Sequence, residues 1–157
     1  MIKKVNKQET FIKIMRILII TQYFYPENLR INDIAFSLQE QGHQVSILTA
    51  KPNYPEGQLY PGYSFFIKGF ETINNINIYR SNIITRGSGS GIRLFFNYIS
   101  FVFLGFFKLL TIKEKFDTVL VYAPSPITVG YLGVFAKYKF KVDSHLWVHD
   151  LWPESVK

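Results

Sequence analysis

Short β-branched runs alternate along this chain with stretches of helical periodicity, and that alternation restricts the fold more than any other feature. Residues 16–21 (RILIIT) read as a buried parallel strand, and residues 45–48, 117–122 (DTVLVY) and 145–148 (HLWV) as further strands. Between the first two, Leu29, Ile31, Ile34, Ala35 and Leu38 fall near helical spacing, and Gly42 stands where a left-handed carboxyl-terminal cap is expected. Residues 127–140 read as another helix, with Ser125 of APSP at its N-cap and Pro126 at its first position. Residues 65–84 carry Ile73, Ile76, Ile78 and Ile83 around Asn74-Asn75, which predicts a strand or hairpin. Strands and helices in this order predict an α/β domain: a Rossmann-like, doubly wound parallel sheet with right-handed crossovers. Ligands of such sheets sit beyond the carboxyl ends of the strands. The loops that matter are therefore YFYPEN, KPNYPEG, APSP and HDLWPES.

Length and composition narrow the classes. A chain of 157 residues is long enough for one well-cored domain, and 48% hydrophobic with 18% charged residues excludes a disordered or collagen-like chain. Without cysteine there is no disulfide framework and no thiolate metal site, which suits a reducing, cytoplasmic setting. The formal charge of +7 favours contact with nucleic acid, a lipid surface or a phosphorylated substrate. Its basic residues are scattered, and Lys3, Lys4, Lys7 and Lys13 sit in a tail, so nucleic acid is not the expected partner. Residues 1–14 read as a basic, disordered extension, because Met15 directly precedes the first strand. That tail has neither an apolar core nor a small-residue cleavage site, so it is not a secretory signal. The fold is then expected over residues 15–157.

Neither G-x-G-x-x-G nor G-x-x-x-x-G-K-[ST] occurs, which argues against a dinucleotide oxidoreductase and a P-loop enzyme. His43, His145 and His149 do not make a metal-ligand spacing, so no metal is expected. In HDLWPES, the strand exit puts His149 and Asp150 at the ligand face, where they can hydrogen-bond sugar hydroxyls or move a proton. The competing reading makes Asp150 a turn cap and Trp152 a core residue. Ser125 marks a helix start whose outward amides suit an anion, or simply a well-made cap. Asn28 and Arg30 bring polar groups to the first strand–helix junction, where Arg30 pairs either with a phosphate or with Glu27. Lys51, Asn53 and Tyr54 leave a ligand-facing strand end, and Tyr with Asn is a common way to hold a sugar. Arg86, heading the RGSGSG connection, completes the candidate substrate contacts, whereas His43 reads as structural.

Residues 94–112 (LFFNYISFVFLGFFKLLTI) match a membrane span in length but are interrupted by Asn97, Ser100 and Lys108. A spanning helix breaks the α/β order, and simple burial leaves surplus Phe. An interfacial helix over residues 92–115 accounts for both, with Phe in the bilayer boundary and Arg93, Lys108, Lys113 and Lys115 toward anionic headgroups. We place that reading first, core second and spanning last.

Taken together, QYFYPENLRIND, GHQVSILTAKPNYPEG, RGSGSGIR, APSPITVG and HDLWPES resemble, in that order, the family 4 glycosyltransferases of GT-B fold, in the colanic-acid and O-antigen subgroup. The resemblance implies the amino-terminal, acceptor-side domain of an enzyme of surface polysaccharide synthesis, peripheral at the inner face of the cell membrane. It implies a nucleotide-sugar co-substrate, a polyprenyl-diphosphate-linked acceptor, no cofactor, and transfer that retains anomeric configuration without a metal. The departing diphosphate would help accept the acceptor proton in a front-face displacement, with Asp150 or His149 near the donor sugar. The family's carboxyl-terminal donor domain would follow Lys157, so the resemblance implies a gene fragment or half of a split enzyme that is inactive without a separately encoded partner. A non-catalytic, membrane-associated binding module is the alternative. Two departures stand out: Asn28 to Arg30 replace the Gly-Gly pair many relatives carry, and the lead-in KVDSHLWV is unusually polar.

Overall fold

Ile, Leu and Val concentrate in the central strands, and the sheet is built around them. A computed structural model describes residues 13–149, so Asp150 and the rest of HDLWPES lie outside the described residues, as does most of the basic tail. The described elements are β1 (Arg16–Thr21), α1 (Arg30–Glu40), β2 (Gln44–Ala50), β3 (Phe70–Ile73), β4 (Ile76–Ser81), α2 (Gly91–Thr111), β5 (Thr118–Ala123), α3 (Gly130–Phe140) and β6 (Ser144–Val148). They form one sheet in the order β3-β4-β2-β1-β5-β6. All neighbours are parallel except the β3–β4 hairpin at one edge.

Among the parallel strands the order is third, second, first, fourth, fifth, so the chain reverses its direction of travel between β1 and β5. That is the Rossmann-like arrangement, with its crevice at the reversal. The sequence expectation of a mostly parallel α/β sheet therefore holds, with an antiparallel edge added.

Side-chain alternation divides the core in two. Leu18, Ile20, Leu48, Val119 and Val121 pack with Phe101 and Leu109 of α2 and Leu132 and Ala136 of α3. On the other face Ile17, Ile19, Val45, Ile47 and Ile78 pack with Ile31 and Ala35 of α1. Gly42 closes α1 as expected: at φ 92° it lets its own amide reach Gln39 O and the His43 amide reach Leu38 O. His43 then accepts the Met15 amide at Nδ1 (3.1 Å), a structural role. The Asn74-Asn75 turn of the hairpin has both residues at positive φ, 49° and 62°, which matches the twist of paired strands.

One helix start departs from expectation. Pro126 has extended backbone (φ −82°, ψ 172°) and itself holds the cap position of a short 3-10 turn, Ile127–Val129, before α3 begins at Gly130. Ser125 is thus one residue too early to be the N-cap, and neither helical start has a side-chain cap bond.

Helix α2 is unusual in what it buries. Asn97, Phe101, Gly105 and Leu109, each four residues apart, face the sheet with Ser100. Phe95, Phe96, Ile99, Phe103, Phe107 and Leu110 are exposed. By length and composition α2 is apolar enough to cross a membrane, yet only 22% of its most apolar window is buried. Gly105 lets α2 sit close against α3, because a Cβ there would lie 2.9 Å from Leu132 Cδ1.

Candidate functional site

Three loops meet at the carboxyl ends of β1, β2 and β4, and one buried carboxylate joins two of them. Glu27 accepts the amides of Asn53 (2.8 Å), Tyr54 (2.7 Å) and Phe24 (3.1 Å). Burial pushes its carboxyl up to about 7, against the pull of those three amides and of Arg80. Asn32 ties the same loop to α1, donating to Glu27 O and accepting the Tyr25 amide. The third loop joins through backbone contact: Gly57 accepts the Gly87 amide at 3.0 Å, and a Cβ on Gly57 would sit 1.9 Å from Gly87 O. Each of the YFYPEN, KPNYPEG and APSP loops contains a cis peptide bond before proline.

On this platform Tyr54 and Arg86 come together, the guanidinium 4.8 Å from the ring centre. Tyr23 packs beside Tyr54 with ring centres 5.4 Å apart and planes tilted by 43°, and its hydroxyl donates to Asn97 Oδ1, which also accepts from Gln22 Nε2 at 2.7 Å. Burial raises the Tyr23 phenol well above its ordinary value, with Arg86 opposing. Tyr54 and Arg86 are the two candidates that the fold places together with accessible surface. An aromatic face beside a guanidinium can stack on a sugar and hold a phosphate.

Other candidates lie elsewhere. Asn53 is fully buried, with its side chain donating to Lys51 O and accepting the Arg86 amide, so it shapes the loop. Lys51 is also buried and points its ammonium at Ser64 O, Phe65 O and Asn82 Oδ1, away from Tyr54 and Arg86. Asn28 is exposed. Arg30, exposed at the start of α1, makes no ion pair with Glu27, whose oxygens face amides instead. Its charge is felt by Tyr122, a phenol raised by burial. The His149 ring lies 5.9 Å from the Tyr122 ring, so Arg30 and His149 both lie near Tyr122 at the β1–β5 reversal. Asp150 lies outside the described residues.

Ser125 lines a third feature, an apolar cavity of about 520 Å³ walled by Leu94, Phe95, Tyr98 and Ile99 of α2 and by Pro126 and Thr128. That volume is in the ordinary range for small-molecule sites. Among the described residues no three His, Asp or Glu side chains gather as metal ligands.

Sequence reasoning missed Tyr23, Gln22 and Tyr98. Asn97 carried the usable signal, since a lone amide in a Phe-rich run needs a buried partner.

Strand order and loop cluster together define a Rossmann-like α/β domain. No protein-family model and no curated protein matches the sequence. The structure is similar to the C-terminal domain of a hydrogenase from Pyrococcus furiosus at 15% identity and a TM-score of 0.50, covering 88% of this chain and 97% of that one. At that identity the likeness is one of fold.

Proposed function

We propose that this chain is the acceptor-side half of a retaining glycosyltransferase that moves a sugar from a nucleotide-sugar to a lipid-linked saccharide at a membrane surface. The observation that carries this reading is the apolar cavity beside Ser125, whose α2 wall continues into the exposed Phe and Ile stripe of the same helix. A prenyl chain leaving a bilayer along α2 enters such a cavity without crossing polar surface. Its diphosphate then faces Arg86, and the acceptor sugar stacks on Tyr54. In this reading Arg30 and His149, both near Tyr122 at the strand reversal, would face the donor, and His149 would hold a sugar hydroxyl. The nucleotide-sugar itself belongs to a second domain, as the family resemblance of the loop motifs implies.

The test mixes the chain with a nucleotide-sugar-binding domain of a two-domain relative, nucleotide-sugar and a polyprenyl-diphosphate-linked saccharide. Sugar transfer that requires both halves is the expected result. A folded pair that binds both substrates and transfers nothing would leave a non-catalytic binding module instead.

A further inference from the structure

Residues Ser64 to Ile67 make a tight turn, closed by the Ile67 amide on Ser64 O at 3.2 Å, and its two corners are Phe65 and Phe66. Phe66 is 92% exposed and Phe65 61%. An exposed pair of Phe on a flexible loop would fold back onto the protein; this pair is held out. The buried ammonium of Lys51 donates to both Ser64 O and Phe65 O and fixes the base of the turn. Burying a cation to present two aromatic rings to solvent makes physical sense where those rings have a partner.

The turn faces α2. Phe65, Phe66, Leu104 and Phe107 wall a cleft of about 300 Å³ whose floor holds Lys51, Lys108 and Ser81. Ser81 is buried with its hydroxyl unpaired, so the cleft offers a donor that nothing among the described residues uses. Neither Lys51 nor Lys108 has a carboxylate partner among the described residues, since the four ion pairs join other side chains. Burial and the proximity of Lys108 depress the Lys51 ammonium, whose three protons are donated to Ser64 O, Phe65 O and Asn82 Oδ1, so among the described residues Lys108 and the Ser81 hydroxyl are the groups left to meet an anion. Helix α2 carries Arg93 and Lys108 and no Asp or Glu, while Arg80, which also lines the cleft, is paired with Glu71. Two copies of such a face would oppose like charges, whereas an anionic bilayer complements both its charge and its aromatic surface.

We propose that the cleft between the Phe65–Phe66 turn and α2 seats the phosphate headgroup of an anionic phospholipid while the turn inserts beside the α2 stripe. This rests on the reading of α2 as a bilayer-facing helix and adds to it a second, rigid insertion point and a headgroup seat. Sugar transfer plays no part in it.

The experiment is sedimentation of the full chain with vesicles of phosphatidylcholine alone or with added phosphatidylglycerol. Wild type should bind the anionic vesicles preferentially and lose binding as salt rises. Phe65→Ser/Phe66→Ser should weaken it about tenfold, and Lys108→Gln about fivefold, on anionic vesicles only. Because the chain has no cysteine, Phe66→Cys gives a single site for an environment-sensitive dye, which should brighten on anionic vesicles, while the same dye at Asn75→Cys should not. If wild type binds but the turn variant binds equally and the dye at position 66 stays in water, the insertion is wrong and the α2 reading survives. Undiminished binding by Lys108→Gln removes the headgroup seat. Failure of wild type to bind either vesicle overturns the α2 reading and this proposal with it, leaving the transfer assay above to judge the catalytic one.

Discussion

Glu27 is the residue on which the candidate site hangs, and its chemistry sets a pH dependence. Its folded carboxyl titrates near 7 against an ordinary value of 4.5. Between those values the folded chain retains a proton that the unfolded chain has lost. This contribution to stability is therefore full below about pH 4.5 and is lost as pH rises through about 7, on the order of 3 kcal/mol in total. Urea denaturation at about pH 5 and about pH 8 should show the fall in wild type and a flattened profile in Glu27→Gln. An unchanged slope in the variant would place the titration elsewhere. The sequence offered Glu27 only as a possible partner for Arg30. Nothing in YFYPEN says that its carboxylate turns inward to meet amides two loops away, because that geometry exists only once β1 and β2 are side by side. Tyr54 and Arg86 were legible as ligand-type residues, but their pairing depends on the contact between the Gly57 and Gly87 backbones.

At the scale of elements, α2 shows why hydropathy and burial part company. Its apolar residues surround the helix almost completely, so periodicity could not say which side meets the sheet. The four-residue spacing of Asn97, Phe101, Gly105 and Leu109 decides it, since a small residue and two polar ones let the helix sit close while Asn97 and Ser100 satisfy the Ile84 carbonyl and amide. Phe101→Ala should then cost about 3–5 kcal/mol, while Phe103→Ser, on the exposed side, should stay within about 0.5 kcal/mol. Equal losses at both positions by chemical denaturation would contradict this division of buried and exposed faces, and a larger loss at Phe103 would reverse it. Helix α3 gives a second check. A Cβ at Gly133 would meet Val121 Cγ2 at 2.4 Å, whereas Gly91 at the start of α2 has open space. Gly133→Ala should cost about 1–3 kcal/mol, and Gly91→Ala should be neutral or slightly stabilising. The strands and α1 were readable from the sequence because β-branched runs and a capping glycine are local signals. The cap after APSP was misread by a residue, and the 3-10 turn that delays α3 to Gly130 was missed, because the extended backbone of Pro126 is not a local signal of the same kind.

For the whole molecule, the switch point of the sheet and the exposed apolar stripe of α2 come together around the APSP loop. The reversal between β1 and β5 opens where Arg30, Tyr122 and His149 gather. The cavity beside Ser125 opens toward the exposed stripe of α2. A substrate with a polar head and a long apolar tail has a use for both features; a small soluble ligand has no use for the stripe. The fold class was readable from the order of strands and helices, but the placement of an apolar cavity beside the switch point required the packing of α2 against the APSP loop. The most direct measurement is photo-crosslinking with a polyprenyl-diphosphate saccharide that carries the photoreactive group in its first prenyl units, followed by peptide mapping. Labelling concentrated on Leu94, Phe95, Tyr98 and the Pro126 loop, and competed by unlabelled lipid-linked saccharide but not by the free saccharide, is the result expected. Labelling spread over the exposed Phe residues, with none in the cavity and no competition, would contradict an acceptor site there.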